Sequence, residues 1–225
     1  MDEIEIETGA NPDAAVIWLH GLGADGRDFE PIVPELRLPA ALRLRFVFPH
    51  APIQPVTING GMRMRAWYDI LQLGGGPEDE KGIRASQGLL GKLIEREKSR
   101  GIPASRIVLA GFSQGGAIVL QAALRYPERL AGVLALSTYL PLAAKLAGER
   151  HAANAALPIF MAHGLEDSMV PVDYSRKVVG QLKEQGYQPV YQEYAMGHEV
   201  NEALLAKLTG WVARTLPARS PGQGA

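Results

Sequence analysis

The chain has 225 residues, which is enough for one large domain with a substantial core. Its 23 basic and 24 acidic residues leave a formal net charge of −1, which excludes a general electrostatic attraction to nucleic acid or to an anionic membrane. The absence of cysteine excludes disulfides, thiolate metal sites and a cysteine nucleophile. The acidic start lacks the pattern of a signal peptide and no apolar run reaches the length of a membrane span, so we expect a soluble, cytoplasmic protein.

Short apolar runs alternate with amphipathic stretches along the chain. The runs have few charges, as expected of strands covered on both faces, and they predict strands at 14–20, 44–50, 106–112, 132–137, 158–164 and 190–195. The amphipathic stretches predict helices at 82–100, 114–126, 172–186 and 199–216. This alternation predicts an α/β fold with a mostly parallel sheet, to which residues 4–7 add an antiparallel edge strand.

No internal repeat and no linker divides the chain, so we predict a single domain over residues 1–216. Residues 217–225 are rich in Pro, Gly, Ser and Ala, a composition that predicts a disordered tail. The irregular part of the domain is residues 50–81, and a long loop of this kind inside a compact domain is more often functional than idle.

The glycine-rich loop after the strand at 14–20 allows two interpretations. Its residues Gly21 to Gly26 match the G-x-G-x-x-G spacing of a dinucleotide-binding turn. Such a fold needs an acid at the end of the next strand, about 20 residues on, to bind the ribose hydroxyls. The next strand instead ends in Phe48-Pro49-His50. A nucleotide-binding oxidoreductase is therefore the weaker hypothesis, and binding of labelled NAD would reveal it.

The strongest local pattern is Gly111-Phe112-Ser113-Gln114-Gly115, which matches the G-x-S-x-G nucleophile elbow. A predicted strand precedes this segment and a predicted helix follows it, as the motif requires. On such a turn the serine hydroxyl projects outward, and the flanking positions must be small because a side chain there would collide with neighbouring backbone. The pattern predicts Ser113 as a nucleophile.

A nucleophilic serine needs a base, and the base needs an orienting acid. In this type of fold the chain order is serine, acid, histidine. Asp167 and His198 follow Ser113 in that order, and each lies just past a predicted strand, where parallel sheets place their active sites. Glu166 is an alternative acid, whereas His163 precedes Asp167 and is interpreted as structural.

The same chemistry needs backbone N–H groups that face the developing oxyanion. One comes from the residue after the nucleophile, here Gln114, and the other from a glycine-rich loop after an early strand. The HGLG segment at 20–23 is such a loop. This chemistry requires no metal ion and no organic cofactor.

Six segments together extend these predictions, namely HGLGADG, FPHAPIQPVTINGG, RAWYDI, GFSQGGA, HGLEDSMVP and MGHEV. In this order they resemble the carboxylesterase and acyl-protein thioesterase family of small α/β-hydrolases, from about Val16 to Val200. The resemblance implies an α/β-hydrolase fold, with a mostly parallel sheet of about seven strands flanked by helices and no large cap domain. It also implies site residues of three kinds. These are the triad Ser113, Asp167 and His198, the oxyanion donors Leu22 and Gln114, and an acyl-groove loop that supplies Trp67, Ile70, Leu71 and Leu73 as apolar surface.

These observations predict a serine hydrolase of carboxylic esters with short to medium acyl chains, acting through an acyl-enzyme on a small ester or thioester. The alternative is an acyl-protein thioesterase that removes long acyl chains from protein cysteines. A non-catalytic binding protein of this fold is a remote alternative, because all three triad residues are present. The basic segment GMRMRA and Glu199, where many relatives have serine, leave the natural substrate open. The apolar groove would also suit a protein partner or a homodimer.

Overall fold

A computed structural model of the protein describes residues 2–72 and 76–219. Within these ranges the chain forms nine strands and six α-helices. The strands are β1 (Glu3–Glu7), β2 (Ala14–Leu19), β3 (Leu44–Pro49), β4 (Ile53–Val56), β5 (Met62–Arg65), β6 (Ile107–Phe112), β7 (Gly132–Leu136), β8 (Ile159–Gly164) and β9 (Val190–Tyr194). The helices are α1 (Ile32–Glu35), α2 (Glu80–Ser99), α3 (Gln114–Ala123), α4 (Leu146–Glu149), α5 (Val172–Glu184) and α6 (Glu202–Thr215).

Seven of these strands form one sheet in the order β1-β3-β2-β6-β7-β8-β9. Only β1 runs antiparallel, paired with β3, while the other pairs along this sheet are parallel. Every residue of the inner strands β2, β3, β6, β7 and β8 is buried, as expected of a parallel sheet covered on both faces. The predicted α/β-hydrolase fold and the antiparallel edge strand are therefore confirmed.

The two faces of the sheet have separate cores, and β2 shows how its residues alternate between them. Ala15, Ile17 and Leu19 pack with buried side chains of α2, α3 and α5, whereas Val16 and Trp18 pack with those of α1 and α6. This alternation follows from the two-residue period of a strand.

Side-chain caps define where the longer helices begin. The Asp79 carboxylate accepts a hydrogen bond from the Gly82 amide (2.9 Å) at the start of α2, and the Asn201 side chain accepts one from the Leu204 amide (2.9 Å) at the start of α6. Gly101 has a φ of 91° just after α2, a left-handed conformation that glycine adopts readily where a helix ends.

The segment expected to be irregular, residues 50–81, contains regular structure of its own. Strands β4 and β5 form a two-stranded antiparallel hairpin in which Ile53 pairs with Arg65. Gly60 and Gly61, with φ values of 66° and 80°, form its turn. The prolines in this segment obscured the strand pattern, because a proline is tolerated only at the edge of a sheet and a two-stranded hairpin consists of edges.

The tail beyond α6 is described only as far as residue 219. The carbonyl of Pro217 accepts a hydrogen bond from the Arg106 guanidinium (2.8 Å), which holds the chain just after the helix. Residues 220–225 lie outside the described residues, so the domain boundary at 216 and the disordered tail at 217–225 stay predictions of the sequence.

Candidate active site

Ser113 lies at the sharp turn between β6 and α3. Its φ of 54° and ψ of −120° are unfavourable for a residue with a side chain, a conformation that costs about 1–3 kcal/mol. Hydrogen bonds on both sides hold it in place. The Ser113 amide donates to the Leu136 carbonyl (2.8 Å), and the Ser113 carbonyl accepts from the Thr138 hydroxyl (2.7 Å).

The glycines around Ser113 leave no space for a side chain. A Cβ atom on Gly111 would lie 2.7 Å from the Gly116 nitrogen, and one on Gly115 would lie 2.6 Å from the His20 carbonyl oxygen. One on Gly116 would lie 2.8 Å from the Thr138 Cβ. The turn can therefore form only with glycine at these positions, which is the physical basis of the G-x-S-x-G pattern.

The HGLG loop after β2 lies directly beside the serine. A Cβ atom on Gly21 would lie 3.4 Å from the Ser113 Cβ. Gly23 adopts a φ of 77°, and its amide donates to the Arg65 carbonyl (2.8 Å) on β5. Within the described ranges no protein group accepts a hydrogen bond from the Leu22 amide, and the Gln114 amide, in the first turn of α3, has no partner inside the helix.

His20 fixes the conformation of this loop through both ring nitrogens. Its Nε2 accepts a hydrogen bond from the Ala51 amide (3.0 Å), so Nδ1 carries the proton and donates to the Gly21 carbonyl (2.7 Å). Burial lowers the pKa of His20 to about 4, which keeps the imidazole neutral and preserves this tautomer.

The side chain of Gln114 connects the turn to the loop that follows β5. Its Oε1 accepts a hydrogen bond from the Trp67 amide (2.8 Å), and its Nε2 donates to the Tyr68 carbonyl (2.8 Å). The Trp67 indole N–H donates to the His20 carbonyl (2.9 Å). Trp67 is only 2% exposed and is not among the residues that line the cavity described below, so its place in the acyl groove stays a prediction. Its two N–H groups hold it in the core, where it braces the HGLG loop.

Asp167 and His198 lie in the loops that follow the neighbouring strands β8 and β9, and their side chains are in contact. The Asp167 Oδ2 lies 2.7 Å from the His198 Nδ1, and its Oδ1 accepts from the Met169 amide (2.9 Å) and the Val170 amide (2.8 Å). The Asp167 side chain is fully buried, whereas Glu166, the alternative acid, is exposed.

The imidazole of His198 also packs against the residue before the serine. The ring centroids of His198 and Phe112 lie 4.6 Å apart, with an angle of 49° between the planes. The fold thus joins Asp167 to His198 by a hydrogen bond, and the ring of Phe112, the residue before Ser113, packs against the His198 imidazole. His163, interpreted as structural, lies beside the same carboxylate, with its Nε2 3.2 Å from the Asp167 Oδ2.

A cavity of about 350 Å³ is lined by residues of the segments after β5 and β7 and by residues of α5. Its lining includes Ile70 and Leu71, as expected for an acyl groove, together with Tyr68 and Tyr139. The hydroxyls of these two tyrosines are 2.5 Å apart, and burial raises the pKa of Tyr139 to about 12. Leu73, the fourth predicted groove residue, lies outside the described residues.

The residues that the structure describes contain no cluster of histidine and acidic side chains suited to a metal ion. None of their helices is both long enough and apolar enough to cross a membrane.

Residues 1–216 match the phospholipase/carboxylesterase family. The chain belongs to this family. It is 43% identical over 191 residues to acyl-protein thioesterase 1 of Mycosarcoma maydis, covering 80% of each chain. It is 40% identical over 218 residues to acyl-protein thioesterase 1 of Neurospora crassa, covering 92% of this chain and 89% of that one.

Solved structures show the same likeness across the phospholipase/carboxylesterase fold. Arabidopsis thaliana SOBER1 superposes with a TM-score of 0.86 at 30% identity, covering 90% of this chain and 99% of that one. Zea mays acyl-protein thioesterase 2 superposes with a TM-score of 0.84 at 25% identity, covering 96% and 99%. The resemblance inferred from the six sequence segments is confirmed, and the protein is a hydrolase of the carboxylesterase or thioesterase type.

Proposed function

We propose that the protein is a serine hydrolase that cleaves carboxylic esters with short to medium acyl chains through an acyl-enzyme intermediate. In this proposal Ser113 is the nucleophile, His198 the general base and Asp167 the acid that orients the base. The observation that carries the proposal is the turn that holds Ser113 at a φ of 54°, together with the histidine that is bonded to Asp167 and packs against Phe112.

The reaction follows from these positions in two half-reactions. The Ser113 Oγ attacks the acyl carbonyl carbon while its proton moves to the His198 Nε2. The His198 Nδ1–H stays hydrogen-bonded to the Asp167 Oδ2, so the carboxylate fixes the tautomer and stabilises the imidazolium. Collapse of the tetrahedral intermediate expels the alkoxide or thiolate, which takes the proton from His198. A water molecule then releases the acyl group by the same route.

The Leu22 and Gln114 amides are the proposed oxyanion donors. Gly21 packs against Ser113, so the next amide of the HGLG loop is close to a carbonyl attacked by the serine. The Gln114 amide stands at the N-terminus of α3, where the positive end of the helix dipole adds to the stabilisation of negative charge.

The cavity beside Tyr68 and Tyr139 is the proposed acyl site. Tyr139, which lines the cavity, follows Thr138, whose hydroxyl donates to the Ser113 carbonyl, and this link between the lining and the turn supports the assignment. Its volume of about 350 Å³ is at the small end of the range for ligand sites, which is about 300–1,000 Å³. This size supports short to medium acyl chains, with Ile70 and Leu71 in contact with the methylenes.

A second candidate function is removal of long acyl chains from protein cysteines. It is favoured by the relatives at 40–43% identity, which are named acyl-protein thioesterases. The two activities share one chemistry and differ in the length of the acyl chain that the site accepts. Oligomeric state and cellular compartment stay predictions of the sequence.

A chain-length series tests the proposal and separates the two activities. kcat/KM is measured for p-nitrophenyl esters from C2 to C16 and for a palmitoyl-cysteine peptide. The concentration of active sites is determined on a separate sample by labelling with a fluorophosphonate. We expect labelling at Ser113 and a kcat/KM that rises with chain length and then reaches a plateau at medium length. A monotonic rise to C16 with efficient cleavage of the peptide would reject the medium-chain proposal in favour of the thioesterase.

A further inference from the structure

Two imidazoles contact the Asp167 carboxylate, that of His198 and that of His163. His163 lies at the end of β8, fully buried, with its Nε2 3.2 Å from the Asp167 Oδ2 and 2.7 Å from the Val170 carbonyl oxygen. Val170 also donates its own amide to the Asp167 Oδ1 (2.8 Å). His163 therefore contacts the acid and the loop that holds the acid.

The protonation of Nε2 follows from its partners. A carboxylate oxygen and a carbonyl oxygen are acceptors only, so the Nε2 between them must carry a proton. The other ring nitrogen, Nδ1, lies 2.6 Å from the Ser175 hydroxyl oxygen, whose proton is donated to the Thr138 carbonyl (2.7 Å). Burial lowers the pKa of His163, which favours the neutral ring.

Ser175 extends this arrangement back towards the nucleophile. Its hydroxyl oxygen also lies 2.7 Å from the Thr138 carbonyl oxygen, and the Thr138 hydroxyl donates to the Ser113 carbonyl (2.7 Å). A chain of buried polar groups thus runs from the backbone of Ser113 to Asp167, and His163 is the link that reaches the carboxylate.

The charged groups that face His163 are few. Asp167 and His198 lie on the loops after β8 and β9, and Glu193 is its parallel neighbour on β9. The Glu193 carboxylate is bonded to the Arg176 guanidinium (2.7 Å) on α5, so it does not compete for the His163 proton. Asp167 is therefore the carboxylate that the His163 Nε2 contacts.

We propose that His163 is a positioning residue for the hydrolysis, whose Nε2–H donates to the Asp167 Oδ2 that also binds His198. The Met169 and Val170 amides occupy Oδ1, and the two imidazoles occupy Oδ2, so the carboxylate has no freedom to rotate. The second donor also withdraws negative charge from Oδ2, which weakens its hold on the His198 proton. The inference rests on the proposed function, because it assigns His163 to the acid of that triad.

The first test measures the tautomer directly in the unmodified protein. In a spectrum of ¹⁵N-histidine-labelled protein at pH 7.5, we expect His163 to carry its proton on Nε2, with His163→Gln used to assign the signal. A proton on Nδ1 alone would overturn the proposal, because Nε2 could then donate neither to Asp167 nor to Val170. The tautomer is thus read in the wild-type protein, and the variant serves only to assign the signal.

The second test compares His163→Leu, which removes the donor, with His163→Gln, whose amide N–H replaces it at Nε2. For His163→Leu we expect kcat to fall about 10- to 100-fold, with KM within about two-fold. Losses of this size are seen when a residue that hydrogen-bonds to a metal-ligating side chain is removed. The acid limb of the kcat/KM profile should move up by about 0.5 pH unit, because Asp167 then holds the His198 proton more tightly. His163→Gln should recover kcat to within about three-fold of wild type.

A control variant separates positioning from loss of stability. Asn154 is equally buried, and its side chain makes hydrogen bonds with Leu130, Tyr126 and Glu128 before the starts of β7 and β8, opposite the strand ends that carry the site. Asn154→Leu should lower Tm while the acid limb and kcat per labelled site stay at the wild-type values. If His163→Leu behaved like this control, the inference would be wrong while the proposed function stood. If a fluorophosphonate did not label Ser113, the proposed function itself would fail.

Discussion

The turn around Ser113 and the segment that carries the acyl cavity are built in different ways. At the turn, backbone packs against backbone, so that Gly111, Gly115 and Gly116 cannot carry a side chain. The segment from β4 to residue 72 includes the exposed side chains of Ile53 (55%) and Met62 (64%), and the Gln114 side chain connects it to the turn. The turn is thus fixed by close backbone packing, whereas the segment that carries the proposed acyl cavity is joined to the turn by side-chain hydrogen bonds.

The largest effect should come from the nucleophile itself. Ser113→Ala should reduce kcat by about 10⁴- to 10⁶-fold and abolish fluorophosphonate labelling. Ser137→Ala is a matched control, since Ser137 also has a positive φ, of 48°, and its buried hydroxyl has no partner in the described structure. Its activity should stay at the wild-type level. Labelling that persisted in Ser113→Ala would contradict the assignment.

The packing of the turn can be broken with one methyl group. Gly115→Ala would place a Cβ 2.6 Å from the His20 carbonyl oxygen, so we expect about 3 kcal/mol less free energy of unfolding and a lower kcat. Gly88→Ala, in the exposed middle of α2 with open space around it, should instead raise the free energy of unfolding by about 0.5–1 kcal/mol. Urea unfolding of both variants measures the difference, and equal effects would contradict the close-packed description.

The buried imidazole of His20 should make the free energy of unfolding sensitive to acid. Its folded pKa of about 4 lies below the ordinary value of about 6.5, so the unfolded chain binds more protons in this interval. The stabilisation is complete above about pH 6.5 and is lost as the pH falls towards 4, by on the order of 3 kcal/mol.

Urea unfolding between pH 7.5 and 4.5 measures this loss. His20→Gln should show a shallower slope, while His151→Gln, at an exposed histidine, should keep the wild-type slope. An unchanged slope in His20→Gln would remove His20 as the source of the acid sensitivity.

The smallest effect should appear in the acyl cavity. Leu71 is half-buried and lines it, so Leu71→Ala should lower kcat/KM for medium-chain esters about three- to ten-fold, in line with about 0.8 kcal/mol for each buried methylene. Acetate esters should react at the wild-type rate. Ile53→Ala, on the exposed hairpin outside the cavity, should change neither substrate class. An equal loss for all chain lengths would place Leu71 outside the acyl site.

Sequence reasoning reached the two strand ends that carry Asp167 and His198, because both follow apolar runs in the required order. It could not identify the partners of Trp67 and His163, for a shared reason. A tryptophan in a loop and a histidine at a strand end have many uses, and only their partners decide between them. The Gln114 carboxamide, the His20 carbonyl and the Asp167 carboxylate are those partners, and all but Asp167 are distant in the chain.

The sequence by itself determined the α/β order, the turn at Ser113 and the family, because each rests on local spacing: the period of apolar residues, the glycines two positions either side of the serine, and short ordered motifs. The tertiary structure decided which groups share a partner. The Asp167 Oδ2 between two imidazoles and the Trp67 indole beneath the HGLG loop both depend on contacts between separate strand ends. Those contacts form only once the parallel strands align. They could not be predicted, because hydrogen bonds between distant residues leave no periodic pattern in the sequence.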